Sequence, residues 1–349
     1  MMNRVLLFVL DGFGIGPLPD AAQYGDANAH TLAALAEAVG GIRLPNLEAL
    51  GLGWVVSLPG MSATAEPQGC FGRLGFTGQG IDSVVGHWEI NGVLCSIPFH
   101  CTEGVPWQVT VALEEALGRK VMGQSVSSQS SMLKTLGTDH LASGSLIVWT
   151  DGRNTCFVAA HEAVMSHDQL ARGCQEAWKK LKQQGMFLRV VAQPLAGEGG
   201  ALYVQRGRRE FVIEPPDLTM LDVLNRSGQI IIGVGKVGDV FSGRGLTRTV
   251  PAYAAEEAVE QAIGLLNKLP RGLLYVCVDL PTDDPSRAAA ALEACDRALS
   301  VLFDQLRVGD VVIITGDHGR DLSRPLQRPT REYVPLFVTG PKVPYGVDL

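Results

Sequence analysis

Acidic residues and one histidine stand where apolar runs of this chain end. Asp11, Asp279 and Asp317 each come at or just after the end of such a run, and His318 follows the last of them. Ligands of open α/β sheets bind at the carboxyl ends of the strands, so we expect these side chains to meet. Carboxylate and imidazole ligands together suit Mn²⁺, Mg²⁺ or Zn²⁺. Asp-Gly and Asp-His-Gly are also common turn sequences, so loop capping is the alternative interpretation.

A serine that could act as a nucleophile lies in the segment 80–92, which reads GIDSVVGHWEING. Ser83 follows a glycine-containing turn and precedes a helix-like run. A metal ion would acidify its hydroxyl, and a helix N-terminus favours phosphate. The alternative is that Ser83 only caps the helix. We interpret His87, which stands beside a tryptophan, as a structural hydrogen-bonding residue.

The elements that must position these residues follow from the spacing of the apolar residues. Continuous apolar runs rich in branched side chains predict strands that are buried on both faces of a parallel sheet. These runs are Val5–Leu10, Ile230–Val234, Leu273–Val278 and Val311–Thr315. Segments with helical spacing alternate with them: Thr31–Val39, Asp217–Asn225, Ala254–Leu266 and Ser286–Leu306. The alternation predicts an α/β fold with a doubly wound, mostly parallel sheet.

The middle third of the chain has a different pattern and predicts a smaller α/β cap domain inserted into the main sheet. Its predicted elements are the helix Trp107–Leu117, the strand Leu146–Thr150, a helix near Asp168–Gln183 and the strands Leu188–Ala192 and Phe211–Ile213. The predicted domains are a core formed by residues 1–96 and 216–349 and a cap formed by residues 97–215.

Composition limits the classes of function. The 349 residues are 46% hydrophobic and carry a net charge of −7, which argues against sequence-independent nucleic-acid binding. The seven cysteines are scattered and form no CxxC pair, so neither a disulfide framework nor a thiolate zinc site is indicated. The first apolar run is too short to span a bilayer. We predict a cytoplasmic protein without a membrane segment, and we make no prediction of its oligomeric state.

Several motifs, in order, resemble the phosphopentomutase family of the alkaline phosphatase superfamily. The match covers nearly the whole chain, including the cap, and the GHWE segment with its upstream Asp-Ser is the most specific part. The segments are LDGFGIG (10–16), DAAQYGDANAHTL (20–32), LPNLEALGLG (44–53), DSVVGHWEINGV (82–93), AAHE (159–162), GEGG (197–200), GKVGDVFSGRGLT (235–247), TGDHGRD (315–321) and TREYVPL (330–336).

The resemblance implies an activity and a set of site residues. Such enzymes of nucleoside metabolism move a phosphoryl group between the 1- and 5-positions of ribose or deoxyribose, and a Thr or Ser between two Mn²⁺ ions carries it. By resemblance Ser83 becomes the phosphorylated nucleophile and a ligand of the same ion as Asp11, Asp317 and His318. Lys236 would contact the substrate phosphate.

The chain departs from the family at the second metal. The family's ligands there are an Asp and a His five residues apart and a further His, whereas this chain has Pro281, Ser286 and Pro329. The resemblance therefore implies one divalent ion, Mn²⁺, rather than two. In the cap, Arg153 stands where the family has an acidic sugar-binding residue, and we predict that Arg153 binds the substrate. Gln193 stands where the family has an arginine.

Two kinds of compensation and two other functions stay open. Asp283 and Asp284 could supply oxygen ligands, or arginines near the altered loop could neutralise phosphate; these are Arg320, Arg324 and Arg328. The alternative for the arginines is a solvated loop. The alternative functions are a non-catalytic or substrate-shifted paralogue, which binds one metal and a sugar phosphate or partner protein, and a one-metal hydrolase.

Overall fold

A computed structural model describes residues 3–95, 103–198 and 201–349. The chain divides into two compact units. Unit 1 comprises Met1–Ser96, Pro215–Gly238 and Gly243–Leu349, and unit 2 comprises Ile97–Glu214 and Asp239–Ser242. The predicted cap boundary at residue 97 lies outside the described residues, and the segment 239–242 groups with unit 2 although the sequence assigned it to the core.

The sheet of unit 1 has eight strands. They are β1 (Arg4–Leu10), β2 (Cys70–Leu74), β9 (Ile231–Val234), β10 (Arg248–Val250), β11 (Gly272–Val278), β12 (Asp310–Gly316), β13 (Val334–Thr339) and β14 (Val347–Asp348). Their order across the sheet is β10-β9-β11-β1-β12-β13-β2-β14. The pairs from β10 through β12 are parallel, and β13 is antiparallel to both of its neighbours. The predicted mostly parallel α/β fold is confirmed.

The helices of the chain agree closely with the apolar spacing where that spacing is regular. They are α1 (Thr31–Val39), α2 (Pro45–Leu50), α3 (Leu52–Val55), α4 (Ser83–Ile90), α5 (Trp107–Leu117), α6 (Gln129–Ser143), α7 (His167–Leu181), α8 (Met220–Arg226), α9 (Val237–Val240), α10 (Ala255–Leu266) and α11 (Pro285–Phe303). Apolar faces of α1, α10 and α11 contribute to one hydrophobic core with the buried side chains of β1 and β11. Burial of this continuous apolar surface is the main force that holds unit 1 together.

Unit 2 has its own sheet of six strands. They are β3 (Val121–Val126), β4 (Leu146–Thr150), β5 (Thr155–His161), β6 (Arg189–Ala196), β7 (Tyr203–Val204) and β8 (Arg209–Val212). Two separate hydrophobic clusters contain alternate residues of β4, such as Val148 in one and Trp149 in the other. The sheet is thus buried on both faces.

The central strands of unit 1 end at the same level. Leu10 of β1 pairs with Val278 of β11 on one side and with Gly316 of β12 on the other. The next residues along the three strands are acidic: Asp11, Asp279 and Asp317. This register brings the three carboxylates to one edge of the sheet.

Within the described part of the chain, no helix combines the length and the apolar character needed to cross a membrane. The six cysteines that it contains are all buried.

Candidate metal centre

Asp11, Asp317 and His318 form a buried group whose ligand atoms all lie within 4.8 Å of one another. His318 Nε2 is 3.1 Å from Asp11 Oδ1 and 3.7 Å from Asp317 Oδ2. Among the described residues, no other group of this kind occurs. Buried carboxylates this close require a positive partner, so the cluster is suited to a cation.

The hydrogen bonds around the cluster leave its ligand atoms facing inward. His318 Nδ1 lies 2.6 Å from the Gly319 carbonyl oxygen, and if Nδ1 donates this bond the neutral ring keeps its Nε2 lone pair for a metal. Within the described residues, neither His318 Nε2 nor Asp11 Oδ1 has a hydrogen-bond partner of acceptable geometry. The backbone N–H of Gly12 donates to Asp317 Oδ1 at 3.0 Å and fixes that carboxylate. The residues present therefore fit a divalent ion.

Ser83 is the first residue of α4 and donates a short hydrogen bond to Asp317 Oδ2. The N-cap of this helix is Asp82, whose side chain accepts from the Val85 backbone N–H at 2.9 Å. The alternative prediction that Ser83 merely caps the helix is therefore wrong. The serine hydroxyl shares a carboxylate with the candidate metal ligands.

A glycine allows α4 to lie against the loop that carries these ligands. A Cβ atom added at Gly86 would lie 2.0 Å from the Asp317 carbonyl oxygen. The helix backbone and the backbone after β12 are thus closer than any side chain would permit. This close approach brings Ser83 to Asp317.

Lys236 follows β9 and places its ammonium in the same cluster. Its Nζ makes a short ion pair with Asp11 Oδ2 and lies 3.3 Å from Asp279 Oδ1. Burial disfavours the charged form of Asp11, but Lys236 and His318 outweigh it and hold the pKa of Asp11 well below its usual range. Burial likewise disfavours charged Lys236, but Asp11 and Asp279 raise the pKa of its ammonium above its usual value. The predicted contact of Lys236 with substrate phosphate stays a prediction.

His87 lies behind Asp317 in a buried polar network that the sequence did not reveal in full. Its Nε2 is 3.6 Å from Asp317 Oδ2, and its Nδ1 is 2.6 Å from the Tyr275 hydroxyl. Asn91 donates to that hydroxyl at 3.2 Å and to the His87 carbonyl at 2.8 Å. Burial, more than the opposing charge of Asp317, lowers the pKa of His87 to about 4, so the ring is neutral at pH 7. In the sequence, the signal for this role of Tyr275 was that its hydroxyl is a single polar side-chain group within an apolar strand.

Glu332 is a second buried residue that sequence reasoning missed. Its carboxylate accepts from the backbone N–H groups of Gly16 and Thr31, and from the hydroxyls of Thr31 and Thr330. It therefore ties the loop after β1 to the loop before β13. The only available signal was its position in the TREYVPL segment.

The altered loop after β11 brings no new carboxylate into the cluster. Asp284 is the N-cap of α11 and accepts from the backbone N–H groups of Ser286 and Arg287. Asp283 forms an ion pair with Arg287 at 2.7 Å. Neither acidic residue belongs to the metal-binding group found among the described residues.

The three arginines near the other altered loop differ from one another. Arg324 binds Asp26 and the Gly25 carbonyl, which is a structural role. Arg328 is half-buried. Arg320 donates to the Gln327 carbonyl at 3.1 Å. Its charge also lowers the pKa of Asp11, although burial, Lys236 and His318 have larger effects on that pKa. Arg320 is thus the one of the three that acts on the cluster.

The predicted cap residues belong to unit 2. Arg153 is fully buried, and its backbone N–H donates to Asp151 Oδ1 at 2.9 Å. Gln193 donates to Gln129 Oε1 at 2.9 Å. The substrate role of Arg153 stays a prediction.

The chain is similar to several known proteins. The family model described as the metalloenzyme superfamily matches residues 281–349, which implies a divalent metal. The phosphopentomutase of Dictyoglomus thermophilum is 38% identical over 97% of this chain and 88% of that protein. The enzyme of Carboxydothermus hydrogenoformans is 38% identical over 100% and 92%.

Solved structures are similar at lower identity. The PH0037 protein from Pyrococcus horikoshii is 14% identical, with a TM-score of 0.46 over 98% of this chain and 87% of that one. A phosphoglycerate mutase from Leishmania mexicana is 13% identical, with a TM-score of 0.46 over 99% and 91%. On the strength of its full-length relatives, the chain belongs to the phosphopentomutase family.

Proposed function

We propose that the protein transfers a phosphoryl group between the 1- and 5-positions of ribose or deoxyribose phosphate through phospho-Ser83. The observation that carries the proposal is the hydrogen bond from Ser83 Oγ to Asp317 Oδ2, because it joins the hydroxyl to the candidate metal ligands. We infer that one divalent ion, Mn²⁺, is held by Asp11, Asp317, His318 and Ser83. When bound, the ion would lower the pKa of the hydroxyl and offset phosphate charge.

The residues of the chain have distinct tasks in this transfer. The phosphoryl group passes from phospho-Ser83 to the free hydroxyl of the sugar phosphate, and the phosphoryl group at the other position of the resulting bisphosphate then passes to Ser83. In each forward step the P–O bond to serine breaks, a P–O bond to the sugar forms, and the sugar proton ends on Ser83 Oγ. Asp317 orients that oxygen by accepting its hydrogen bond. The N-terminus of α4 favours the phosphate charge.

The setting of the reaction follows from the same proposal. The substrate is a small pentose phosphate, which we infer Lys236 and Arg153 contact, as part of nucleoside metabolism. We place the reaction in the cytoplasm, and the buried cysteines of the described residues are consistent with a reducing compartment.

A second candidate function is a non-catalytic or substrate-shifted paralogue. It is favoured by the loop after β11, where Pro281 offers no ligand and Asp283 and Asp284 are engaged within the loop and helix. With fewer positive charges at the phosphate, transfer would be slower or directed to another sugar.

The experiment that separates these functions detects the phosphorylated serine. Mn²⁺-loaded protein is incubated with ribose 1,5-bisphosphate, and phosphoserine is located by mass spectrometry while ribose 1-phosphate turnover is followed. We expect phosphate on Ser83 and slow turnover that Ser83→Ala abolishes. The matched control is Ser300→Ala, an exposed helix serine.

Each other outcome has a defined meaning. Turnover that survives Ser83→Ala contradicts the proposed nucleophile. Absence of both phosphoserine and turnover in metal-loaded protein supports the non-catalytic paralogue. Release of inorganic phosphate without isomerisation supports a one-metal hydrolase.

A further inference from the structure

Arg331, shortly before β13, is a buried arginine whose guanidinium reaches the turn that leads into α4. Only 3% of this residue is exposed. Its Nη1 donates to the Gly80 carbonyl oxygen at 2.8 Å, three residues before Ser83. Because burying a charged group is costly unless its donors are bound, this contact belongs to a defined arrangement of partners.

The rest of the guanidinium is held by a carboxylate and two aromatic rings. Its Nε and Nη2 both donate to the Asp20 carboxylate, and the distance from Nη2 to Oδ2 is 2.8 Å. The ring centroids of Tyr24 and Phe76 lie 4.9 Å and 5.1 Å from the Cζ atom of Arg331. The two-point contact with the carboxylate and the ring faces fix the plane of the group. These partners therefore set the orientation of Nη1 toward Gly80.

The turn from Gly80 to Asp82 is packed tightly against the helix that begins at Ser83. A Cβ atom added at Gly80 would lie 2.5 Å from the Cγ1 atom of Val85. Ile81 and Asp82 are fully buried, and the Asp82 side chain accepts from the Val85 backbone N–H. A displacement of Gly80 would therefore also displace Ser83, because the residues between them are buried and packed on the same helix.

The backbone on either side of Arg331 is bound to the loops that carry the candidate metal ligands. Thr330 exchanges two backbone hydrogen bonds with Gly319, which comes directly after two of these ligands. The Glu332 carboxylate accepts from the Gly16 backbone N–H in the loop after β1. One short segment thus contacts both ligand loops and, through the arginine, the turn before α4.

We propose that Arg331 is a positioning residue that holds Ser83 in register with the candidate metal ligands. The inference rests on the proposed role of Ser83 as the nucleophile and deepens it. Arg331 acts through the Gly80 carbonyl rather than on the reacting atoms. Lysine would keep the charge, but it lacks the planar set of donors that binds Asp20 and Gly80 together.

The test compares Arg331→Lys and Arg331→Met with wild-type protein, once urea denaturation has shown that each variant is folded. Hydrogen exchange is measured at the backbone amides of Val85 and Gly86, which donate to Asp82 in the first turn of α4. Phosphorylation of Ser83 by ribose 1,5-bisphosphate is then followed over time by mass spectrometry in Mn²⁺-loaded protein. We expect faster exchange at these amides and phosphorylation at least about tenfold slower in both variants, because a small displacement of a reacting group costs a large factor in rate.

Arg324→Lys is the matched control. Arg324 also forms an ion pair with an aspartate of the loop after β1, Asp26, and donates to the Gly25 carbonyl. Its hydrogen bonds and ion pairs with described residues do not reach the segment 80–83. We expect this variant to keep the wild-type exchange rates in α4 and the wild-type rate of phosphorylation, even where its free energy of unfolding falls.

The outcomes separate this inference from the proposed function. Arg331 variants that keep both wild-type rates overturn the positioning role. Losses that Arg324→Lys reproduces at equal stability overturn it too, because they would follow from general destabilisation. Wild-type protein that acquires no phosphate on Ser83 contradicts the proposed nucleophile instead, and the exchange rates in α4 then decide whether Arg331 holds this turn.

Discussion

At the scale of single residues, Tyr275 holds the histidine behind the candidate metal centre. Because Asn91 donates to the Tyr275 oxygen, we expect the hydroxyl to donate to His87 Nδ1, which leaves the His87 proton on Nε2 facing Asp317. Tyr275→Phe removes this bond inside the core. We expect a loss of about 1–3 kcal/mol in the free energy of unfolding, measured by urea denaturation, and weaker Mn²⁺ binding.

The control for this substitution is Tyr253→Phe, because Tyr253 is 40% exposed. That change should leave both quantities unaltered. A Tyr275→Phe variant with unchanged stability and metal affinity would show that the network does not position Asp317.

Sequence reasoning predicted some residues of the candidate metal centre but not their neighbours. Asp11, Asp317 and His318 could be predicted because strand ends of a parallel sheet meet at one edge. The ion-pair partner of Lys236 could not be predicted, because the sequence does not show which carboxylate its ammonium group will contact. Tyr275 was missed because a buried strand is read as apolar, and a polar atom inside it is visible only with its partners.

At the scale of elements, the packing of α4 against the loop after β12 decides whether Ser83 meets Asp317. Gly86→Ala would place a Cβ atom 2.0 Å from the Asp317 carbonyl oxygen, so the helix must move away. We expect a loss of about 1–3 kcal/mol in the free energy of unfolding and weaker Mn²⁺ binding, measured by urea denaturation and calorimetry.

A second glycine in a helix provides the matched control for this prediction. Nothing lies within 4 Å of a Cβ atom added at Gly264 in α10. Gly264→Ala should therefore be neutral or stabilise the protein by up to about 1 kcal/mol, because alanine favours the helix. Equal effects of the two substitutions would contradict the close approach of α4.

The elements that the sequence predicted well are those with strong apolar spacing. Helices α1 and α5 and strand β4 have the predicted bounds, and β1 and β11 differ from them by one residue. The missed elements have weak patterns. Strand β3 is half-buried, and α6 contains five serine or threonine residues within 15. Their place is set by packing against β4, which spacing alone does not encode.

At the scale of the whole molecule, the chain has separate cores in its two compact units, and the candidate metal ligands all belong to unit 1. The fold class was predictable because each run of apolar residues needs a sheet or helix face that buries it. The assignment of residues 239–242 to unit 2 was not, because this segment contacts residues about thirty positions earlier in the chain: the Asp239 carboxylate accepts from the Glu210 backbone N–H at 3.1 Å and lies 3.7 Å from Arg209. Contacts so distant in sequence leave no local pattern.

The position of the metal ligands predicts how Mn²⁺ stabilises the two units. A ligand that binds only the folded state stabilises it by about 2.7 kcal/mol when the free ligand concentration is a hundred times Kd. Hydrogen exchange with and without Mn²⁺ should therefore show slower exchange in β1, β11 and β12 of unit 1. Strands β5 and β6 of unit 2 should change less, because that unit contributes none of Asp11, Asp317 and His318. In the Asp317→Asn variant, Mn²⁺ should no longer slow hydrogen exchange in unit 1. Ion binding at this edge of the sheet would be contradicted by Mn²⁺ protection that is equal in both units, or by protection that persists in this variant.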